Sequence, residues 1–222
     1  MPSQPAGRLG LALGSGSAGL GAGDTVAIVE RHGDPYALPH RIDHAANMRR
    51  LRDAGCERVL ALGSVGGLHP QYGPGTFPCA DDFIALGAAA TTLEGRDAHR
   101  VRGFDREWRG RVIEAWNAEA EPPLVDSGVY WQTLGPRLET PAEIRHIARD
   151  ADVIGMTIAS ECVAAAELGL SYAAVCTVVN YANGVGDTPL TIEELHEGER
   201  HAREQLAAAL ASILPALAAA AG

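Results

Sequence analysis

Residues 9–32 read LGLALGSGSAGLGAGDTVAIVERH, and the fold turns on how this stretch is parsed. Leu9–Leu13 and Thr25–Val29 are apolar runs of strand length, and Gly14-Ser15-Gly16-Ser17-Ala18-Gly19 between them matches GxGxxG. A dinucleotide-binding unit would need a helix directly after those glycines and an acid about 20 residues further on. Only Leu20–Asp24 separate Gly19 from the second run, and Glu30 beyond it is followed at once by Arg31-His32. The expectation is therefore a glycine turn joining two consecutive strands that lie antiparallel or form a meander. Ser15 and Ser17 sit in that turn, where backbone N–H groups can approach an anion.

The same alternation of apolar runs and amphipathic segments continues along the chain, which is the α/β pattern. Further strands are expected at Arg58–Leu62, Phe83–Leu86, Leu124–Trp131, Asp152–Met156 and Tyr172–Val179. Helices are expected at Asp43–Ala54, Asp105–Ala118, Pro141–Arg149, Glu161–Leu168 and Thr191–Leu214. In the last helix Leu195, Ala202, Leu206, Leu210, Ile213 and Leu217 form one buried stripe. Thr191 and Glu194 have the spacing of a capping box, and the terminal alanines read as a frayed end. The fold class is α/β, a central mixed sheet flanked by helices. It is expected to form a single domain over residues 1–222, with 1–7 as a flexible leader.

Composition narrows the chemistry. The chain has 222 residues, and all 18 of its basic side chains are arginines. No lysine is available for a Schiff base, a P-loop or a lysine general base. The net charge of −10 opposes nucleic-acid binding. No apolar run reaches the roughly 18 residues of a membrane span, and the N-terminus lacks a signal-peptide core. Cys56, Cys79, Cys162 and Cys176 are scattered, so they are read as reduced, mostly buried thiols of a cytoplasmic protein. Cys176 lies in an apolar run and is assigned to the core. His40, His44, His69, His146, His196 and His201 show no metal-ligand spacing and are read as surface or structural. No metal and no cofactor are expected.

Arg31-His32, Gly63-Ser64-Val65-Gly66-Gly67 and Met156-Thr157 each follow a strand, and strand carboxyl ends in an open α/β sheet gather round one crevice. An arginine, a histidine, hydroxyls and glycine-rich backbone there would hold phosphate or sulfate. No carboxylate arrangement suited to Mg²⁺ accompanies them. The anion can then be a reactant bound whole.

These segments fall in the order seen in a known family. GSG, Arg31-His32-Gly33, PHRIDHAAN (39–47), SVGGL (64–68), GPRLET (135–140), GMT (155–157) and VVN (178–180) together resemble the trimeric purine nucleoside and 5′-methylthioadenosine phosphorylases. Within that group the likeness is nearest to the S-methyl-5′-thioinosine phosphorylases. The resemblance implies a homotrimer, without cofactor, that cleaves a purine nucleoside with inorganic phosphate as co-substrate. It implies that Ser15, Arg31, His32, Ser64 and Thr157 hold phosphate. Met156 would meet the sugar, while Leu138, Glu139 and Asn180 would line the base, with Asn180 and His32 catalytic. An amide at Asn180 with an acceptor carboxylate at Glu139 suits a 6-oxopurine. Ile192, standing where a histidine would meet a 5′-hydroxyl, suits a methylthio group. His99 matches a histidine that reaches the neighbouring subunit's 5′ pocket. An inosine/guanosine phosphorylase and a nucleoside-binding homologue without turnover are the alternatives. The chain departs from the family in its short stretch between Gly19 and Arg31, in Leu138 where inosine-cleaving relatives carry phenylalanine, and in Asn183, which has no evident role.

Overall fold

The computed structural model describes residues 8–17, 26–87, 91–93, 99–186 and 191–220, except for the side chains of Ile192, Glu194 and Leu195. Its strands are β1 (Arg8–Leu13), β2 (Val26–Glu30), β3 (Cys56–Gly67), β4 (Asp82–Ile84), β5 (Val129–Gln132), β6 (Val153–Gly155) and β7 (Ser171–Tyr181). The helices are α1 (His44–Asp53), α2 (Arg106–Glu119), α3 (Pro141–Ile147), α4 (Ile158–Glu167) and α5 (Ile192–Ala220).

The strands form one seven-stranded sheet ordered β2-β1-β3-β6-β5-β4, with β7 also paired to β3. The twelve residues of β3 hold β1 against the first half and β6 against Gly66 and Gly67, while β7 runs beside residues 58–67. Among the described strands only the β3–β6 pairing is antiparallel, which makes the sheet mixed.

One expectation about the opening stretch fails. β1 and β2 are parallel, with Leu9 opposite Val26 and Leu13 opposite Glu30. Residues 14–25 supply the dozen or so that a parallel return requires. They leave β1 through a 3₁₀ turn at Ser15–Ser17; residues 18–25 lie outside the described set. The sequence excluded a crossover helix, but that did not exclude a crossover.

Helix boundaries follow local chemistry. The Asp43 carboxylate accepts from Ala46 N at 2.8 Å and starts α1, and Asp105 does the same for α2 at Trp108 N. The capping box seen in the structure is at Thr140/Glu143, on α3. Of the expected Thr191/Glu194 box, the Glu194 side chain is outside the described residues. The α5 helix passes through Pro215 to Ala220 rather than stopping at Leu214. Ile213, Leu214 and Leu217 are buried against α2 and the sheet, and that packing carries the helix past its missing N–H. Its end is not frayed: Arg58 and Arg111 each donate from Nη1 to the Ala220 carbonyl, at 2.7 and 3.1 Å.

The expected strand at Leu124–Trp131 shortens to β5, because Leu124 N is spent on the Asn117 side chain and Val125 only bridges Pro78. Asp82 opens β4 by accepting from Phe83 N, as a loop-to-strand cap. All four cysteines are free and buried, and burial pushes the Cys176 thiol up to about 12.

The expected helix at Glu161 starts three residues earlier, at Ile158. Thr157 is its N-cap residue, yet the Thr157 side chain makes no cap bond. Tyr130 of β5 caps it instead, its hydroxyl accepting from Thr157 N at 3.1 Å and Ile158 N at 3.3 Å. Gly155 makes room for that hydroxyl, since a Cβ there would lie inside hard contact of it. Tyr130→Phe leaves two N–H groups without their acceptor in a fully buried place. The variant should lose about 1–3 kcal/mol in urea unfolding, the cost of unsatisfied buried donors.

Candidate active site

The ends of β1, β2, β3, β5, β6 and β7 open on a single cavity of about 280 Å³. Ser15, Arg31, His32, Ser64, Leu138, Glu139, Met156, Thr157 and Asn180 all line it. Nine of the eleven residues singled out in the sequence are thus brought together. Of the other two, His99 is exposed and outside this cavity, and the side chain of Ile192 lies outside the described residues.

The cavity has two chemically different ends. At one, the 3₁₀ turn stands over the β2 terminus. A Cβ on Gly14 would sit 2.6 Å from Arg31 Nη1, and one on Gly16 would strike Ser64 Oγ. Both glycines are needed for close approach. Ser17 turns inward and donates to Gly14 O at 3.2 Å, so the hydroxyl facing the cavity is that of Ser15.

Arg31 is 2% exposed and paired with Glu161, which is fully buried. Nε and Nη2 donate to the two carboxylate oxygens, each at 2.8 Å. Nη1 donates to Leu62 O at 2.8 Å and Nη2 to Ala12 O at 3.4 Å. Tyr172 donates its hydroxyl to Glu161 Oε1 at 2.7 Å. Burial alone would weaken both charges, but the partners more than offset it. Arg31 is held above its ordinary pKa and Glu161 below its own. Sequence reading identified Arg31 and missed Glu161, although a carboxylate inside IASECVAAAE is a detectable oddity.

His32 Nδ1 must carry its proton, because it donates to the Ala37 carbonyl at 2.8 Å. Its ring stacks on Tyr36 at 4.4 Å, and burial lowers its pKa. Thr157 keeps its hydroxyl available because Tyr130 caps the helix.

At the other end, a register shift between Val65 and Gly66 places Val178 and Asn180 opposite consecutive β3 residues. This bulge aims Asn180 into the cavity. The Asn180 amide donates to Tyr181 O at 2.7 Å, which leaves its carbonyl oxygen to face the space. Glu139 stands one residue before the Thr140 cap, on the loop that carries Leu138. Asn183, unexplained in the sequence, pins this loop by donating from Nδ2 to Glu139 O at 2.8 Å. Arg137 is bound to Glu143 and stays outside the cavity. Met156 packs beneath Gly135, whose φ of +61° and missing Cβ make the contact possible.

A neighbouring cavity of about 340 Å³ shares Pro39 and Met156 and contains His44. The structure gives His44 Nδ1 no partner, and burial takes this histidine down to about 4. His44, read as surface or structural, is half-buried. Among the described residues, no three His, Cys, Asp or Glu side chains gather to hold a metal ion. No described helix is long and apolar enough to cross a membrane.

Two outcomes follow from the buried groups. Glu161→Ala strands the Arg31 charge and should cost about 3–5 kcal/mol in denaturant unfolding, whereas the apolar double replacement Arg31→Met with Glu161→Leu should cost less than either single change. The histidine has a definite sign. Between its ordinary 6.5 and about 4, the unfolded chain takes a proton that native His44 refuses. Stability should therefore fall as pH drops through that window, and His44→Phe should flatten the slope. Glu161 acts in the same direction at lower pH, its contribution vanishing as the pH falls through its depressed folded value.

The Phosphorylase superfamily pattern matches residues 14–215. An Archaeoglobus fulgidus protein described as a probable 6-oxopurine nucleoside phosphorylase is 42% identical over 186 residues, covering 83% of this chain and 76% of its own. A Pseudomonas syringae pv. tomato protein described as a probable S-methyl-5′-thioinosine phosphorylase is 37% identical over 204 residues, covering 88% of this chain and 82% of its own. The solved methylthioadenosine phosphorylase of Schistosoma mansoni in complex with tubercidin superposes with a TM-score of 0.78. At 22% identity, over 96% of this chain and 92% of that one, it speaks for the fold. By pattern, by sequence and by fold, this chain belongs to the phosphorylase superfamily.

Proposed function

We propose that the protein cleaves the N-glycosidic bond of a 6-oxopurine nucleoside with phosphate, S-methyl-5′-thioinosine being the preferred substrate. The products are hypoxanthine and a 1-phosphorylated methylthioribose. One observation carries this reading: a single cavity has an Arg31–His32–Ser64–Thr157 end and an Asn180–Glu139 end. The first offers hydroxyls and backbone N–H groups to a proton-bearing phosphate, and the second suits a purine with a 6-oxo group. The names given to the relatives point the same way.

In the reaction, a phosphate oxygen attacks the anomeric carbon as the bond to purine N9 breaks. The sugar passes through an oxocarbenium-like state, and the bonding pair moves into the purine ring, which ends with the proton that hydrogenphosphate gives up on becoming a sugar phosphate. The anion, held by backbone N–H groups, Ser64 and Thr157, stabilises the cationic sugar from below. Asn180 hydrogen-bonds the purine edge where charge accumulates, while Glu139 accepts from the N1–H carried by 6-oxopurines and absent from adenine. A mismatch at such groups leaves buried polar atoms unpaired, which discriminates strongly.

The 5′ end is assigned to Ile192, Met156 and His99, with His99 supplied by a neighbouring protomer of a homotrimer. The exposure of His99 on its own subunit supports that placement. Phosphate acts as co-substrate, and no cofactor enters the scheme. The four free cysteines support a cytoplasmic setting, and the released base suits purine salvage.

Base release from methylthioinosine, inosine and methylthioadenosine, each with and without phosphate, tests the whole reading. Phosphate-dependent hypoxanthine release should be fastest from methylthioinosine. A hydroxyl against Ile192 should cost inosine about 1–3 kcal/mol in kcat/KM. Faster cleavage of methylthioadenosine would sink the Glu139/Asn180 assignment. Asn180→Asp should lower kcat on methylthioinosine about 10²-fold, as loss of one transition-state hydrogen bond does.

A further inference from the structure

Ser15 is assigned to the anion, yet its hydroxyl is already committed. It donates to Glu199 Oε1 at 3.0 Å, and Glu199 lines the same cavity. The acid comes from the second turn of α5, which lies directly on the 3₁₀ turn. Gly198, its neighbour, has no room for a Cβ against the Val179 carbonyl, and a Cβ on Gly16 would reach Glu199 Cγ at 3.9 Å. Glu199 is therefore part of the site, and neither composition nor spacing singled it out.

The charges make its presence informative. Arg31 and Glu161 cancel one another within the buried pair. Burial holds His32 towards its neutral form. Among the described residues, Glu199 then leaves this end of the cavity with one net negative charge, which is the wrong sign for a bare anion.

Resting on the phosphorolysis reading above, we propose that Glu199 selects phosphate over other oxyanions by accepting a hydrogen bond from its P–OH. Hydrogenphosphate brings a proton of its own. On binding, the Ser15 hydroxyl turns from Glu199 to a phosphate oxygen, and the P–OH donates to the carboxylate in its place. The carboxylate keeps one donor, and no proton changes owner on binding. Sulfate, a dianion of the same shape, has no proton at neutral pH. It would leave Glu199 without a donor and facing like charge, a repulsive device for specificity.

The test uses the full-length enzyme slightly above neutral pH, with sulfate as a competitive inhibitor against phosphate. In the unsubstituted enzyme the sulfate Ki should exceed the phosphate KM by about a hundredfold. Glu199→Gln, which can donate to either anion, should shrink that ratio about tenfold or more, the scale of a charge-assisted hydrogen bond. Glu197→Gln, on the same helix but exposed and ion-paired with Arg200, should leave the ratio alone. Sulfate binding as well as phosphate to the unsubstituted enzyme would overturn the inference, whether or not the variant folds. So would an unchanged ratio in Glu199→Gln. Base release that needs no phosphate at all would instead remove the phosphorolysis reading, and this inference with it.

Discussion

Arg31 ties β1, β2, β3 and α4 to one buried charge. It leaves the end of β2, its N–H bonds Leu13 O at 2.8 Å, and its side chain reaches Ala12 O near the end of β1, Leu62 O within β3 and the Glu161 carboxylate of α4. Asn47 of α1 holds the Arg31 carbonyl at 2.9 Å. Taking two full charges out of water costs several kcal/mol per ion unless nearly every donor and acceptor is matched. Here four of the five guanidinium donors have partners, and the carboxylate takes a third donor from Tyr172. The match holds only if β1, β2, β3 and α4 stand in one arrangement. The pair thus reads as a device for register as much as for binding.

A related economy recurs around the cavity. Groups meant to face the space are released from structural duty by neighbours that take it over. Thr157 occupies the N-cap position of α4 but does not cap, because the hydroxyl of Tyr130 does. Asn183 holds the Glu139 loop by its backbone, so the Glu139 side chain need not. Ser17 closes the glycine turn on itself and leaves Ser15 facing outward. Each substitution of labour links a site residue to a supporting residue that no local motif would select.

That pattern explains what could be read from the sequence and what could not. Apolar runs placed all seven strands, and the polar residues that follow them marked the crevice, because both signals are local. The parallel pairing of β1 and β2 was missed because a crossover needs chain length, and length was weighed only for a helix. Glu161 and Glu199 were missed for a different reason. Their meaning lies in Arg31, 130 residues away, and in Ser15, 184 residues away. In the sequence they are one acid in an alanine-rich helix and one of several acids on an amphipathic one. The resemblance to a family supplied the inward-facing residues, while the supporting ones had to be seen in place.

The absence of lysine sharpens the role of Arg31. An ammonium is a compact charge with three donors, whereas the planar guanidinium offers five in a fixed fork. A lysine at the end of β2 could neutralise Glu161, but it could not also bond Leu62 O and Ala12 O along fixed directions. Because the arginine fork is spent on Glu161, Leu62 O and Ala12 O but for one Nη1 proton, the pair contributes direction rather than net charge to the cavity. Selectivity at this end must then rest on hydrogen-bond sense: which groups donate, which accept, and which ligand carries the proton that completes the set. A site of this kind need not attract anions broadly, and in a chain with net charge −10 it does so against the field of the whole protein.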